Sequence, residues 1–230
     1  MKKVYLILLL LISEVFVFHS FAQNSEPYVT SGFEVIFSKG GTENDGNIRF
    51  APVLNLQSNL NLDLSDKFGV YTGIAVRNVG FIYDDPDNAG TTFKYRTYNV
   101  GVPAGFKIGN LEKAFLYGGY ELELPFNYKE KQFQNNEKIR NPNFWFTDRV
   151  NILQHSLFVG FQFYSGMNLK FKYYLTSLHN PDYVAYDLNN NPINPYSNLD
   201  SNIWYISLNF AVFRNAKFFY SDNDLGMGEI

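Results

Sequence analysis

The sequence predicts an all-β protein, an eight-stranded antiparallel up-and-down transmembrane β-barrel with short periplasmic turns and long extracellular loops. Three observations predict it. Runs of nine or more residues alternate apolar and polar side chains, which is the period of a half-buried strand. Beyond the N-terminal leader no stretch approaches the ~20 apolar residues of a spanning helix, so any crossing of a membrane is by strands. Long and short connections alternate strictly between the runs, because consecutive connections of an up-and-down barrel fall at opposite ends.

The leader comes first. Met1-Lys2-Lys3 is basic, Val4 to Leu11 is apolar and is continued by Val15 to Phe18, and Ser20-Phe21-Ala22 offers a small-residue cleavage site. Residues 1–22 are expected to be a signal peptide, with export to the outer membrane and a mature start near Gln23. A membrane anchor is the weaker reading because Ser13-Glu14 interrupts the apolar run. The chain has no Cys, which excludes a lipid-modified N-terminal cysteine, disulfides and thiolate metal sites. A net charge of -3 with no basic block argues against nucleic-acid binding.

Eight strands are predicted at residues 28–38, 49–64, 68–83, 91–108, 114–128, 151–164, 168–178 and 203–213. The connections 39–46, 84–90, 129–150 and 179–202 are long, whereas 65–67, 109–113 and 165–167 are short. Pairing Leu64 with Phe68 and Tyr164 with Asn168 gives three-residue turns and keeps like faces together. The barrel is assigned to residues 23–214. Residues 215–230 are either a periplasmic tail or the end of the last strand.

One face of each strand is bulky and apolar, as in Leu54, Leu56, Leu60 and Leu62, or Leu169, Phe171, Tyr173 and Leu175. The other carries Asn, Gln, Ser, Gly and Lys. A lipocalin would turn the apolar face inward around a ligand, but eight strands leave an interior only wide enough for smaller side chains. The apolar face is therefore placed toward lipid. Tyr28, Phe68, Tyr83, Tyr128 and Phe213 near the strand ends then read as interfacial girdles.

The run Tyr98-Asn99-Val100-Gly101-Val102-Pro103-Ala104-Gly105-Phe106-Lys107, followed by Glu121-Leu122-Glu123-Leu124-Pro125, is similar to the small outer-membrane β-barrel domain family typical of Bacteroidota, the PorT-like proteins. That resemblance implies an outer-membrane barrel and carries no catalytic residues. Such barrels usually end on an aromatic residue, whereas this chain continues from Arg214 to Ile230, so the last strand either reaches Phe218-Phe219 or is followed by a tail.

Candidate sites are few. His155-Ser156 invites comparison with a serine acyl hydrolase, but neighbouring strand residues face opposite sides, so the pair cannot act together, and His179 lies in a loop. Arg77, Glu121, Glu123, Lys170 and Lys172 all fall on the lumen face, where ionisable groups must pair; a plug of salt bridges fits eight strands better than an ion path. At ~2.4 Å of height per tilted residue, Arg77 and Glu123 are expected to pair. Asp84, Asp85 and Asp87 match no Ca²⁺ loop, and Pro86 with Gly90 reads as an ordinary turn. Phe144, Trp145 and Phe146, with Tyr183, Tyr186 and Tyr196, are candidates for partner binding by the two longest loops, against the alternative that they pack the loops together or dip into the outer leaflet.

No cofactor or metal is expected, and no enzymatic activity. The leading expectation is an accessory or interaction subunit of a larger outer-membrane complex, in contact with outer-membrane lipid, lipopolysaccharide and protein partners. A stand-alone barrel for adhesion, envelope stability or slow solute passage comes second, and a lipid-acting envelope enzyme third.

Overall fold

The computed structural model describes residues 26–40, 47–86, 88–163, 166–186, 189–197 and 199–217, the last five by their backbone alone. The leader at 1–22, the mature start, Asp87, Tyr164 and Phe218-Phe219 lie outside them. The described residues form β1 (Tyr28–Gly40), β2 (Arg49–Ala51), β3 (Leu56–Ser65), β4 (Phe68–Asp84), β5 (Thr91–Asn110), β6 (Ala114–Gln134), β7 (Glu137–Arg140), β8 (Asn143–Trp145), β9 (Gln154–Gln162), β10 (Met167–Tyr174), β11 (Ala185–Tyr186), β12 (Pro192–Ile193) and β13 (Ile203–Lys217), and no helix. Eight of these strands close a ring, β1-β3-β4-β5-β6-β9-β10-β13 and back to β1, every pairing antiparallel. Closure leaves no free edge, so every backbone polar group along the wall can be paired.

The wall faces lipid outward. Leu56, Leu60, Ile74, Val102, Phe106, Leu157, Val159, Leu169, Phe171 and Ile206 are all exposed, while Glu34, Arg77, Glu121, Glu123, Lys170 and Lys172 on the alternate positions are buried. A water-soluble fold does the reverse, so the arrangement is that of a membrane-spanning barrel.

Several predicted boundaries move, each for a local reason. The strand expected at 49–64 is broken at 52–55, because Pro52 has no N–H to give and Leu54 sits at φ 62°. Asn55 mends the gap: its Nδ2 donates to Ala51 O at 2.8 Å and its Oδ1 accepts from Asn78 N at 2.7 Å. The fifth predicted strand runs past 128 to Gln134, turns at Asn135-Asn136 with both φ positive, and returns as β7. Asn tolerates that left-handed backbone, which a two-residue hairpin turn requires. Much of the long connection 129–150 is therefore hairpin.

Two registers also differ. Ser65, not Leu64, opposes Phe68, with an irregularity between Asp63 and Ser65. Asn168 opposes Gln162 rather than Tyr164, a shift of two residues that leaves each face unchanged. The two strands expected at 151–164 and 168–178 are shorter, at Gln154–Gln162 and Met167–Tyr174. The last strand runs on to Lys217.

Candidate functional site

The lumen is filled at mid-height by ion pairs from four strands. Period-two alternation brings Glu34 on β1, Arg77 on β4, Glu121 and Glu123 on β6, and Lys170 and Lys172 on β10 to the same interior, all fully buried or nearly so. Glu34 Oε1 accepts from Arg77 Nη1 at 2.6 Å and from Lys170 Nζ at 2.5 Å. Glu121 takes Arg77 Nε at 3.3 Å and Lys172 Nζ at 2.6 Å, and Lys172 also binds Glu123. Three acids thus meet three bases. Gly101 makes room for them, because a Cβ there would stand 2.5 Å from Glu121 Oε1.

The pairing differs from the expected one. Arg77 does not meet Glu123; it reaches past β3 to Glu34 on β1, with Gln57 of β3 accepting from its Nη2 at 3.0 Å. Lys172 occupies the space beside Glu123, whose carboxylate also accepts from Asn99 at 2.6 Å and Tyr174 at 2.8 Å. Glu34 is the residue that sequence reasoning left out. Its signal is present in the alternation of Phe33, Val35 and Phe37 with Gly32, Glu34 and Ile36.

Below the hub a cavity of about 120 Å³ extends between Tyr71, Tyr117 and Phe158 toward the turn at 111–113 and toward Phe163 and Gly166. Near its mouth Lys107 Nζ pairs with Asp63 at 2.5 Å and donates to Tyr28 Oη at 2.9 Å. Tyr28 therefore points inward and is not a girdle residue.

Above the hub an aromatic cap closes the long-loop end. Phe81, Tyr95, Tyr128, Tyr174, His179 and Tyr196 are buried there. Arg149 donates to Tyr196 Oη at 3.2 Å, and Tyr196 and Tyr128 both donate to Glu130 Oε2, at 3.0 and 2.9 Å. With its proton given to Glu130, Tyr128 accepts from His179 Nε2 at 3.0 Å. His179 stacks on Tyr196 at 4.3 Å and meets Tyr95 edge-on at 4.5 Å. Burial alone pushes its imidazole down to about 3 from the ordinary 6.5, so it stays neutral.

The cap corrects three further expectations. Tyr128 faces inward, not toward lipid, because a bulge at Phe126 puts two β6 residues opposite Tyr98 and reverses the alternation above it. Tyr83 is also inside, stacked on Phe93 at 6.4 Å. Tyr196 is buried and hydrogen-bonded, and Phe144 is half-buried against Tyr128 at 6.3 Å, so neither presents a partner surface. Tyr183 packs on Tyr196 at 5.9 Å. Trp145 stacks on Phe126 at 6.0 Å on the outer wall, and Phe146 beside it is exposed. Tyr186 projects from the β11–β12 hairpin, which pairs Ala185 with Ile193. Phe68 is exposed on the outer wall, and the Phe213 side chain is outside the described residues.

The catalytic pair does not assemble, and of the three loop aspartates only Asp84 and Asp85 are among the described residues. His155 is on the outer wall against Tyr120, while Ser156 is buried and donates to Glu121 O at 3.0 Å. Asp84 accepts from Asn47 at 2.8 Å and Thr92 at 2.5 Å, and Asp85 from Asn88 at 2.9 Å. Among the described residues no three His, Asp or Glu side chains gather to hold a metal.

Comparison with known proteins finds no matching family model and no matching curated sequence. Among solved structures, the chain is similar to Ail, the attachment invasion locus protein of Yersinia pestis, at 15% identity and TM-score 0.38, over 83% of this chain and 99% of that one. It is also similar to Neisserial surface protein A at 10% identity and TM-score 0.34, over 80% and 94%. CarO of Acinetobacter baumannii matches at 11% identity and TM-score 0.36, over 79% and 96%. The closed ring of pairings and the inverted burial establish the barrel independently of these likenesses.

Proposed function

We propose that this chain is a non-enzymatic barrel of the outer membrane, its short-turn end in the periplasm, acting as an interaction subunit of a larger outer-membrane complex. The double closure of the lumen carries this reading: an ion-pair hub at mid-height and an aromatic cap above it leave the outer surfaces as the place for function. Export by a leader ending near Ala22, kinship with the PorT-like family and contact with lipopolysaccharide belong to the same proposal.

The contact assigned to a protein partner is the β11–β12 hairpin, where Val184, Tyr186 and Ile193 are exposed to 42%, 67% and 45% beyond the spanning wall. Tyr is among the residues favoured as interface anchors, and the two aliphatic neighbours add apolar area around it. Trp145, stacked on Phe126 at the upper edge of the wall, is given to the lipid interface instead, with Phe146 beside it.

The test is in two parts. In planar bilayers the protein should show no steady conductance, and a well-defined open state would defeat the closed-lumen premise. Val184→Ser/Tyr186→Ser/Ile193→Ser should insert normally yet lose co-purifying proteins by about tenfold. Retention at wild-type yield, or a wild-type protein that sizes alone in mild detergent, would favour a stand-alone barrel.

A further inference from the structure

The outer wall changes character abruptly on the β5–β6 side. Going up β5, the outward residues Ile108, Phe106, Val102 and Val100 are apolar and exposed, followed by Tyr98, Arg96 and Lys94. At about 2.4 Å of height per residue of a tilted strand, Ile108 to Tyr98 spans about 25 Å, the depth of an apolar barrel band. Tyr98 and Phe126 stack at 6.3 Å, and Phe126 and Trp145 at 6.0 Å, which marks the upper interface. Arg96 and Lys94 therefore stand at headgroup level.

Directly opposed residues share a face, and here they share a sign. Arg96 opposes Lys129, and Lys94 opposes Lys131 on the neighbouring strand; Lys138 on β7 opposes Phe133, next along that face. Like charges directly across an antiparallel pair destabilise it. Two such pairs in succession need an anion to balance them. Among the described residues no carboxylate lies within ion-pair distance of these five side chains. Their internal contacts are ring faces, Lys94 over Phe133 at 4.8 Å and Arg96 over Tyr98 at 4.9 Å. Partial burial, then the charges of Arg96, Lys129, Lys138 and Lys94, pull the Lys131 ammonium below its ordinary range.

We infer that Lys94, Arg96, Lys129, Lys131 and Lys138 form a binding site for the phosphorylated headgroup of an outer-leaflet glycolipid. The cations stand on the wall and continue the lipid-facing surface above an aromatic stack, so the ligand approaches within the plane of the membrane, its acyl chains along Val100 and Val102 and its phosphates at the cations. The site rests on the outer-membrane orientation proposed above.

The experiment uses the full mature chain, folded into vesicles of phosphatidylcholine, extracted into mild detergent and titrated with bis-phosphorylated lipid A while bound lipid is counted by native mass spectrometry. Lys94→Gln/Arg96→Gln/Lys131→Gln should bind roughly a hundredfold more weakly, from about fivefold for each cation, with unchanged heat-modifiable migration. Lys131→Gln/Lys138→Gln, nearer the hairpin tip, covers the case in which the triple variant fails to fold. Lipid A stripped of phosphate should bind wild type no better than the phosphorylated lipid binds the variant. Equal binding by wild type and variants overturns the site, as does inositol hexakisphosphate competing as strongly as the lipid, which would assign the cations to a soluble polyanion. A wild-type chain that fails to enter the vesicles overturns the membrane reading, and the site with it.

Discussion

Glu34 holds two cations at once, and for Lys170 it is the ion-pair partner. Removing it leaves Lys170 buried and uncompensated, whereas Arg77 retains Glu121 and Gln57. Breaking a buried pair from one side costs roughly 3–5 kcal/mol, because the remaining charge is desolvated without return. Glu34→Ala should therefore lower unfolding stability in detergent by about that amount. Glu123→Ala should cost less, since Lys172 keeps Glu121. Equal losses in urea titrations of the two variants would show that net hub charge matters and particular pairings do not. At this scale the sequence was informative about which residues turn inward, Arg77 and Lys172 among them, because alternation alone decides that. It was silent on who pairs with whom, because several long side chains share one height and their reach across the lumen depends on strands far apart in the chain.

Elements are where single residues redirect whole faces. The bulge at Phe126 moves Tyr128 and Glu130 inward, and without it the cap has neither the carboxylate nor the hydroxyl that His179 and Tyr196 depend on. No pattern of hydrophobicity announces such an insertion, which is why Tyr128 reads as a girdle residue from the sequence, and Asn55 mending the break at Pro52 is equally invisible there. The Asn135-Asn136 turn is missed as well, 129–150 reading as one long connection, because the charged run on either side of the Asn pair hides the strands that the turn joins. The cap carries a pH dependence whose sign follows from His179. Its folded value of about 3 lies below the ordinary 6.5, so the unfolded cap takes up a proton that the folded cap refuses. Stability from this group is complete above about pH 6.5 and is lost as pH falls toward 3, by up to about 1.4 kcal/mol per pH unit. Near-UV circular dichroism melts between pH 6.5 and 5, where most carboxylates stay ionised, should show a falling midpoint for wild type and a flat one for His179→Phe. Parallel slopes in the two proteins would remove His179 from the explanation.

For the whole molecule, the alternation of short and long connections is the feature that both predicts the topology and gives it a direction. The turns at 66–67 and 111–113 lie at one end together with the facing ends of β9 and β10, and the hairpins β6–β7 and β11–β12 project from the other. Outer-membrane barrels place short turns in the periplasm and longer loops outside. The ring of strands was readable because a period of two survives any register, while the lumen's contents were readable only as composition. Orientation can be decided cleanly because the chain has no native cysteine, so each introduced thiol reports one position. Asn190→Cys, in the turn between β11 and β12, should react with a membrane-impermeant maleimide on intact cells. Lys113→Cys, exposed in a short turn beside the lower cavity, should react only after the outer membrane is opened. Neither site contributes to the hub or cap, and the strain of Cys at the positive φ of Asn190 is confined to the exposed turn. Labelling of Lys113→Cys on intact cells with Asn190→Cys protected would invert the barrel. The cationic belt around Arg96 would then face the periplasmic leaflet, and both the partner hairpin and the glycolipid site would have to be abandoned.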